Sequence, residues 1–341
     1  MKLNNGCKEY TTVFLAIFFS VLLITVPDVC VSGAKRGLII CAGTLIPALF
    51  PFAVPVLFFL NTKVFKSINM KYFAVFVLST VGGYPIGGKL IYQLYSNNEI
   101  DKSSAKKIIP FFINAGPSFI VLAVGKIMLN SIVLGYILLF SHIAGSIIAS
   151  LVFIPHYIFK KTVNNTFDNC LSVTENFVSS IHNVAEACIS ISSFVIFFSV
   201  VNEYILYFSS RIGLLSFLTY ITEVTSAVRR TENIYIISFL LGFAGISIWM
   251  QILSLSREIK PSLPWLIIVR IIHGFISAAI TIVITKVTNI NISALSNNIE
   301  TLVKPMYTNL TLSLSLLFMA VVMLTSIVSK KHSGKILEDM L

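Results

Sequence analysis

Charge is scarce in this chain. Asp, Glu, Lys and Arg together make up 11% of its 341 residues, and Asp plus Glu number 14. Soluble domains use roughly 25% charged residues, so too little charge is present to cover a water-exposed surface, and a soluble enzyme or binding module is excluded. Long polar tracts are equally scarce, which excludes a disordered chain. The five cysteines, Cys7, Cys30, Cys41, Cys170 and Cys188, show no CxxC and no paired spacing, so neither a zinc site nor a disulfide framework is indicated. They read as small buried apolar side chains. No HExxH, GxSxG, Walker A motif or pair of membrane aspartates occurs, so catalysis is not supported and no metal or cofactor is implied.

What the chain does have is apolar length, since 56% of it is hydrophobic. Apolar segments near 11–27, 37–60, 108–128, 131–155, 177–201, 235–255, 264–286 and 309–329 are each long enough to cross a roughly 30 Å hydrocarbon layer as a helix. The expected fold is an all-α polytopic membrane protein with about eight transmembrane helices. The first segment follows Lys2 and Lys8 like a signal peptide, but Pro27-Asp28-Val29-Cys30 is no small-residue cleavage site, so it reads as an uncleaved helix.

Two further apolar segments are too interrupted to be simple spans. One, 72–95, contains Gly82-Gly83-Tyr84-Pro85-Ile86-Gly87-Gly88; the other, 212–230, contains Glu223-Val224-Thr225-Ser226. Four glycines and a proline in seven residues cost several kcal/mol of helix propensity, so the first must break. Inside a membrane such backbone is tolerated only against protein or a water-filled cavity, which points to re-entrant hairpins. Close helix packing is the bland alternative for the glycines, with Lys89 snorkelling to the interface. Asn114-Ala115-Gly116-Pro117-Ser118 and Gly242-Phe243-Ala244-Gly245-Ile246-Ser247 interrupt two more spans, as discontinuous helices or, for the first, as a proline kink.

Ionisable groups within such segments are functional candidates. Glu223 is a carboxylate able to carry a proton or bind a cation, or else an interfacial charge. Arg270 needs an anionic partner: either Glu223, or a substrate carboxylate or phosphate. His142, His182 and His273 lack metal-like i, i+4 partners and read as hydrogen-bonded packing residues.

With the two interrupted segments entering and leaving by one face, the basic clusters Lys2/Lys8, Lys63/Lys66/Lys71, Lys102/Lys106/Lys107, Lys160/Lys161, Arg257/Lys260 and Lys330/Lys331/Lys335 fall on one side. By the positive-inside rule that side, with both termini, is cytoplasmic. The formal net charge of +11 thus reads as topology and lipid contact rather than nucleic-acid binding. The expected organisation is an N-terminal helix (1–34), a first half (35–159), a polar linker (160–176), a second half (177–330) inverted relative to the first, and a tail (331–341).

In order, Gly83-Tyr84-Pro85-Ile86-Gly87-Gly88-Lys89-Leu90, Asn114-Ala115-Gly116-Pro117-Ser118-Phe119, Glu223-Val224-Thr225-Ser226, and Gly242-Phe243-Ala244-Gly245-Ile246-Ser247 through Gln251 resemble the YlbJ-type sporulation integral membrane proteins, within the nucleoside-recognition Gate domain group. The resemblance spans about residues 35–330. It implies an architecture related to concentrative nucleoside transporters, a place in the bacterial cell membrane (the outer forespore membrane in spore formers), and movement of dipicolinate from mother cell toward forespore. Ile86 and Trp249 stand where the resemblance implies a serine and a polar residue such as histidine.

The expected activity is therefore transport or facilitated passage of a small anionic solute. Lys89 and Arg270 are the expected anion contacts, and Gly83, Tyr84, Gly87, Asn114, Ser118, Thr225, Ser226, Ser247 and Gln251 the remaining contacts. Glu223 is a coupling group or ion-pair partner, with the coupling ion unspecified. A nucleoside-type transporter and a non-transporting spore-envelope assembly protein are the alternatives.

Overall fold

The computed structural model describes residues 5–62, 71–153, 172–210 and 212–288. All regular structure there is helical, and five helices are long and apolar enough to cross a membrane: Pro27–Leu60, Ile132–Phe153, Val173–Ser209, Ile234–Leu255 and Leu263–Val287. The expected span at 309–329, the linker's 160–171 and the 331–341 tail lie outside the described residues.

The order of elements repeats. The first set follows helix α1 (Asn5–Thr25) and opens with a long helix, made of α2 (Pro27–Ile40), a π-helical turn (Cys41–Leu45) and α3 (Ile46–Leu60). A broken pair follows, α4 (Lys71–Gly82) and α5 (Tyr84–Ser96), then the short α6 (Lys102–Ile108). Next come a non-helical stretch, a π-helical segment (Ser118–Met128) and the long α7 (Ile132–Phe153). The second set runs from the long α8 (Val173–Ser209) to a broken pair, α9 (Leu218–Thr222) and α10 (Val224–Val228). A broken helix, α11 (Ile234–Phe243) and α12 (Gly245–Leu255), leads to the long α13 (Leu263–Val287).

The division expected at residue 34 falls inside α2, which continues unbroken into the first set. Within 108–128 the chain is non-helical at 113–116, the place where Asn114-Ala115-Gly116-Pro117-Ser118 reads as a break, and Pro117 stands at the start of the π-helical segment that follows.

Small residues let the long helices meet closely. Gly33 and Gly37, one turn apart on α2, face α8 so tightly that an added Cβ would lie 2.6 Å from Val200 Cα and 2.7 Å from Ile196 Cα. Arg36 on the same helix pairs with Glu203 at 2.9 Å. On the perimeter Phe14, Phe18, Tyr136, Phe140, Leu151 and Phe275 are exposed, as a lipid-facing surface requires. Outside the spans, Asp101 caps α6: Oδ1 accepts from the Ser103 and Ser104 amides at 2.8 and 3.0 Å, and these bonds, with that from the Ser104 hydroxyl, hold its carboxyl below its ordinary value. Trp265 Nε1 donates to Lys107 O at 3.0 Å, tying the start of α13 to the end of α6.

Candidate functional site

Four helix breaks converge between the two sets of elements. At the first, Gly83 adopts φ +85° and ψ 179°, a conformation open essentially to glycine, and it packs on Gly116 of the non-helical stretch. Gly87 meets Phe112 O so closely that no Cβ fits. Glu223 forms the second break, extended at φ −147°, with Oε1 accepting from Thr225 N at 2.8 Å and Oε2 from Ser226 N at 2.6 Å. At the third, Ala244 (φ +72°) and Gly245 (φ +81°) separate α11 from α12. The Phe112–Pro117 stretch is the fourth.

A cavity of ≈ 30 Å³ lies among them, lined by Leu45, Leu49, Tyr84, Gly116, Phe119, Ile191, Val195, Glu223, Val224, Thr225, Ile248 and Gln251. Since a water molecule needs about 10–15 Å³ measured in this way, the space holds one or two waters and no larger solute. The site is closed.

Side chains replace the hydrogen bonds lost at the breaks. Tyr84 Oη donates to Leu241 O at 2.7 Å, joining α5 to α11 across the two sets. Ser118 Oγ donates to Ala48 O at 2.5 Å, and Asn114 Nδ2 reaches Thr80 Oγ1 and Phe111 O, both at 3.4 Å. Trp249 Nε1 donates to Phe243 O at 3.0 Å, so the indole serves the end of broken α11. Gln251 Nε2 donates to Ser247 Oγ at 3.3 Å. Lys89 Nζ donates to Asn183 Oδ1 at 2.9 Å, and Lys89 is not among the cavity-lining residues.

Arg270 is fully buried on α13. Its Nη1 donates to Ile113 O at 2.7 Å and Pro110 O at 3.3 Å, carbonyls freed by the non-helical stretch. No ion pair joins it to Glu223, whose oxygens are occupied at the α10 N-terminus. Tyr84 lies within electrostatic range of both charges. Arg270 Nε and Nη2 have no partner among the described residues. These two nitrogens share one edge of the guanidinium, the fork that grips a carboxylate bidentately.

Of the residues singled out by sequence, Tyr84, Glu223, Thr225 and Gln251 line the cavity. Gly83, Gly87, Asn114, Ser118 and Ser247 build its frame. Ser226 Oγ and Thr225 Oγ1 are buried without partners among the described residues, as is Asn114 Oδ1. The histidine pair is new to the site: His142 Nε2 accepts from Ala115 N at 2.9 Å, and the His142 and His273 rings lie 4.6 Å apart. The available signal was the spacing Arg270, His273, Ser277, Thr281, Thr285, a polar stripe at helical period on an otherwise apolar helix, and all five are buried. No family model, no curated protein and no solved structure matches this chain.

Proposed function

We propose that the chain is a membrane transporter or facilitator of a small anionic solute, with the site where the four breaks meet. The observation that carries this reading is the open edge of Arg270: a permanently charged, fully buried guanidinium whose bidentate fork has no partner, and beside which no carboxylate lies, among the described residues. Leaving such a group without an anion costs several kcal/mol, so it is retained where an anion visits. On this reading the α4–α5 and α9–α10 pairs are re-entrant hairpins, the two sets of elements are inverted halves, and the ≈ 30 Å³ cavity lies on the path of the solute. Entry of a solute requires the hairpin tips to part. The resemblance to the sporulation Gate proteins makes dipicolinate, a small aromatic dicarboxylate, the first solute to test.

A second reading draws on the cavity walls themselves. They carry Glu223, Thr225 and Gln251 but no cation, which suits a neutral hydrogen-bonding solute such as a nucleoside.

The test is uptake of labelled dipicolinate and, in parallel, of a nucleoside into liposomes holding the purified chain. Loss of a bidentate charge-assisted contact, about 3 kcal/mol, predicts that a folded Arg270→Ala variant takes up dipicolinate at least about 100-fold less well at low concentration. Nucleoside uptake alone would favour the second reading. Movement of neither solute across a range of ion gradients would favour an assembly role.

A further inference from the structure

The histidine pair sits where the equivalent long helices of the two sets, α7 and α13, cross. His142 Nε2 accepts the Ala115 amide proton, so in the neutral ring the lone pair is on Nε2 and the proton on Nδ1, which has no partner among the described residues. His273 Nε2 lies 2.9 Å from His142 O. Ser141 Oγ and Ser277 Oγ, next to His142 in the chain and one turn beyond His273, are also buried without partners among the described residues. A cluster of buried polar side chains on α7 and α13 is thus incompletely hydrogen-bonded among the described residues.

The Nε2 bond has a consequence for the site. An imidazole accepts a hydrogen bond only while neutral; once protonated, both nitrogens are donors and Nε2–H would confront Ala115 N–H. Ala115 precedes Gly116, which walls the cavity and packs on Gly83 at the first break. Neutral His142 is therefore a latch on the non-helical stretch. The charged and titratable groups facing it are Arg270 and His273 from α13 and Tyr84 from α5. Further off, Lys126 is exposed on the π-helical segment, and Tyr235 of α11 bonds Thr285, about three turns along α13 from His273. Arg270 is the near positive charge, and an anion seated on its open edge offsets that charge.

We propose that His142 is a proton-binding site coupled to the anion site: an anion on Arg270 permits protonation at Nε2, which releases Ala115 and frees the stretch that closes the cavity. This rests on the anion-transport reading given above. The proton comes from water on one side, occupies Nε2 while Nδ1 keeps its own, and returns to water on the other side as the anion leaves and the Ala115 bond reforms. Anion and proton affinities are then reciprocally linked.

Two measurements test this. In liposomes clamped at zero potential, coupling of one proton per solute predicts about tenfold accumulation of labelled dipicolinate per unit of inward-acid pH gradient. His142→Gln, whose amide oxygen can accept from Ala115 without titrating, should lose that dependence. The same response to the gradient in the variant overturns the proposal. The second measurement is independent of transport and of the variant's folding: hydrogen exchange of the peptide covering 110–118 in the detergent-solubilised wild-type chain, with saturating dipicolinate, corrected for intrinsic pH effects. Protection that falls between pH 8 and pH 5 supports the latch, and protection that is equal at the two values overturns it. A latch that responds to pH in a chain that moves no solute would retire the transport reading while leaving the proton site standing.

Discussion

At the residue scale, Glu223 shows how a buried carboxyl group is held by backbone amides. Both carboxylate oxygens accept backbone amides at the first turn of α10, so removing the side chain strands two buried N–H groups. At about 1–3 kcal/mol for each unsatisfied donor, Glu223→Ala should destabilise the chain by about 2–6 kcal/mol. Glu223→Gln keeps an oxygen acceptor and should cost about half as much or less. Thermal unfolding in detergent separates the two; equal losses would mean that charge, and not the cap, holds this break. The carboxylate was legible in the sequence as a charge in an apolar segment. Its occupation by its own helix was not, because a cap depends on the extended φ at Glu223. Arg270 was legible in the same way, while its carbonyl partners at Pro110 and Ile113 lie some 160 residues away in the chain and come near only through folding.

At the scale of elements, the breaks divide into those that glycine makes free of strain and one that it does not. Gly245 at φ +81° has the residue type its conformation favours, whereas Ala244 at φ +72° does not. Ala244→Gly should relieve about 1 kcal/mol of backbone strain and raise the midpoint of thermal unfolding. Gly245→Ala should lower it, through a loss of about 1–2 kcal/mol from the unfavourable φ alone, since the new Cβ makes only ordinary contacts with Ile221 O and Val224 N at 3.4 Å. Opposite signs at neighbouring positions would locate the strain at Ala244 itself. The cluster of glycines around Gly83 made the first break readable from sequence. The residue that turns the chain between α11 and α12 was not readable, since Gly242 and Gly245 are equally eligible by composition. Gly242 instead packs against Gly274, where helices α11 and α13 touch.

At the scale of the whole molecule, the two sets of elements meet through the pieces that follow each break. Helix α5 crosses α12 at Gly88, where an added Cβ would lie 3.6 Å from Ser256 Oγ. That distance runs to Oγ and establishes proximity alone; a disulfide, whose Cβ atoms lie about 3.5–4.5 Å apart, tests whether the two positions can be joined. If solute passes by separation of the two sets, a Gly88→Cys/Ser256→Cys pair, in a chain whose five native cysteines are replaced, should form the cross-link on oxidation. It should then hold the cavity at its closed size. Dipicolinate uptake should fall to less than about a tenth and return on reduction, because a closed space of one or two waters admits no dicarboxylate. Unchanged uptake in the cross-linked chain would place the moving parts elsewhere, in the tips at Gly83 and Glu223 sliding past a fixed α5–α12 contact. The repeat of long helix, broken pair, broken helix and long helix favours the first outcome, since equivalent pieces from each set occupy both sides of the cavity and neither encloses it alone.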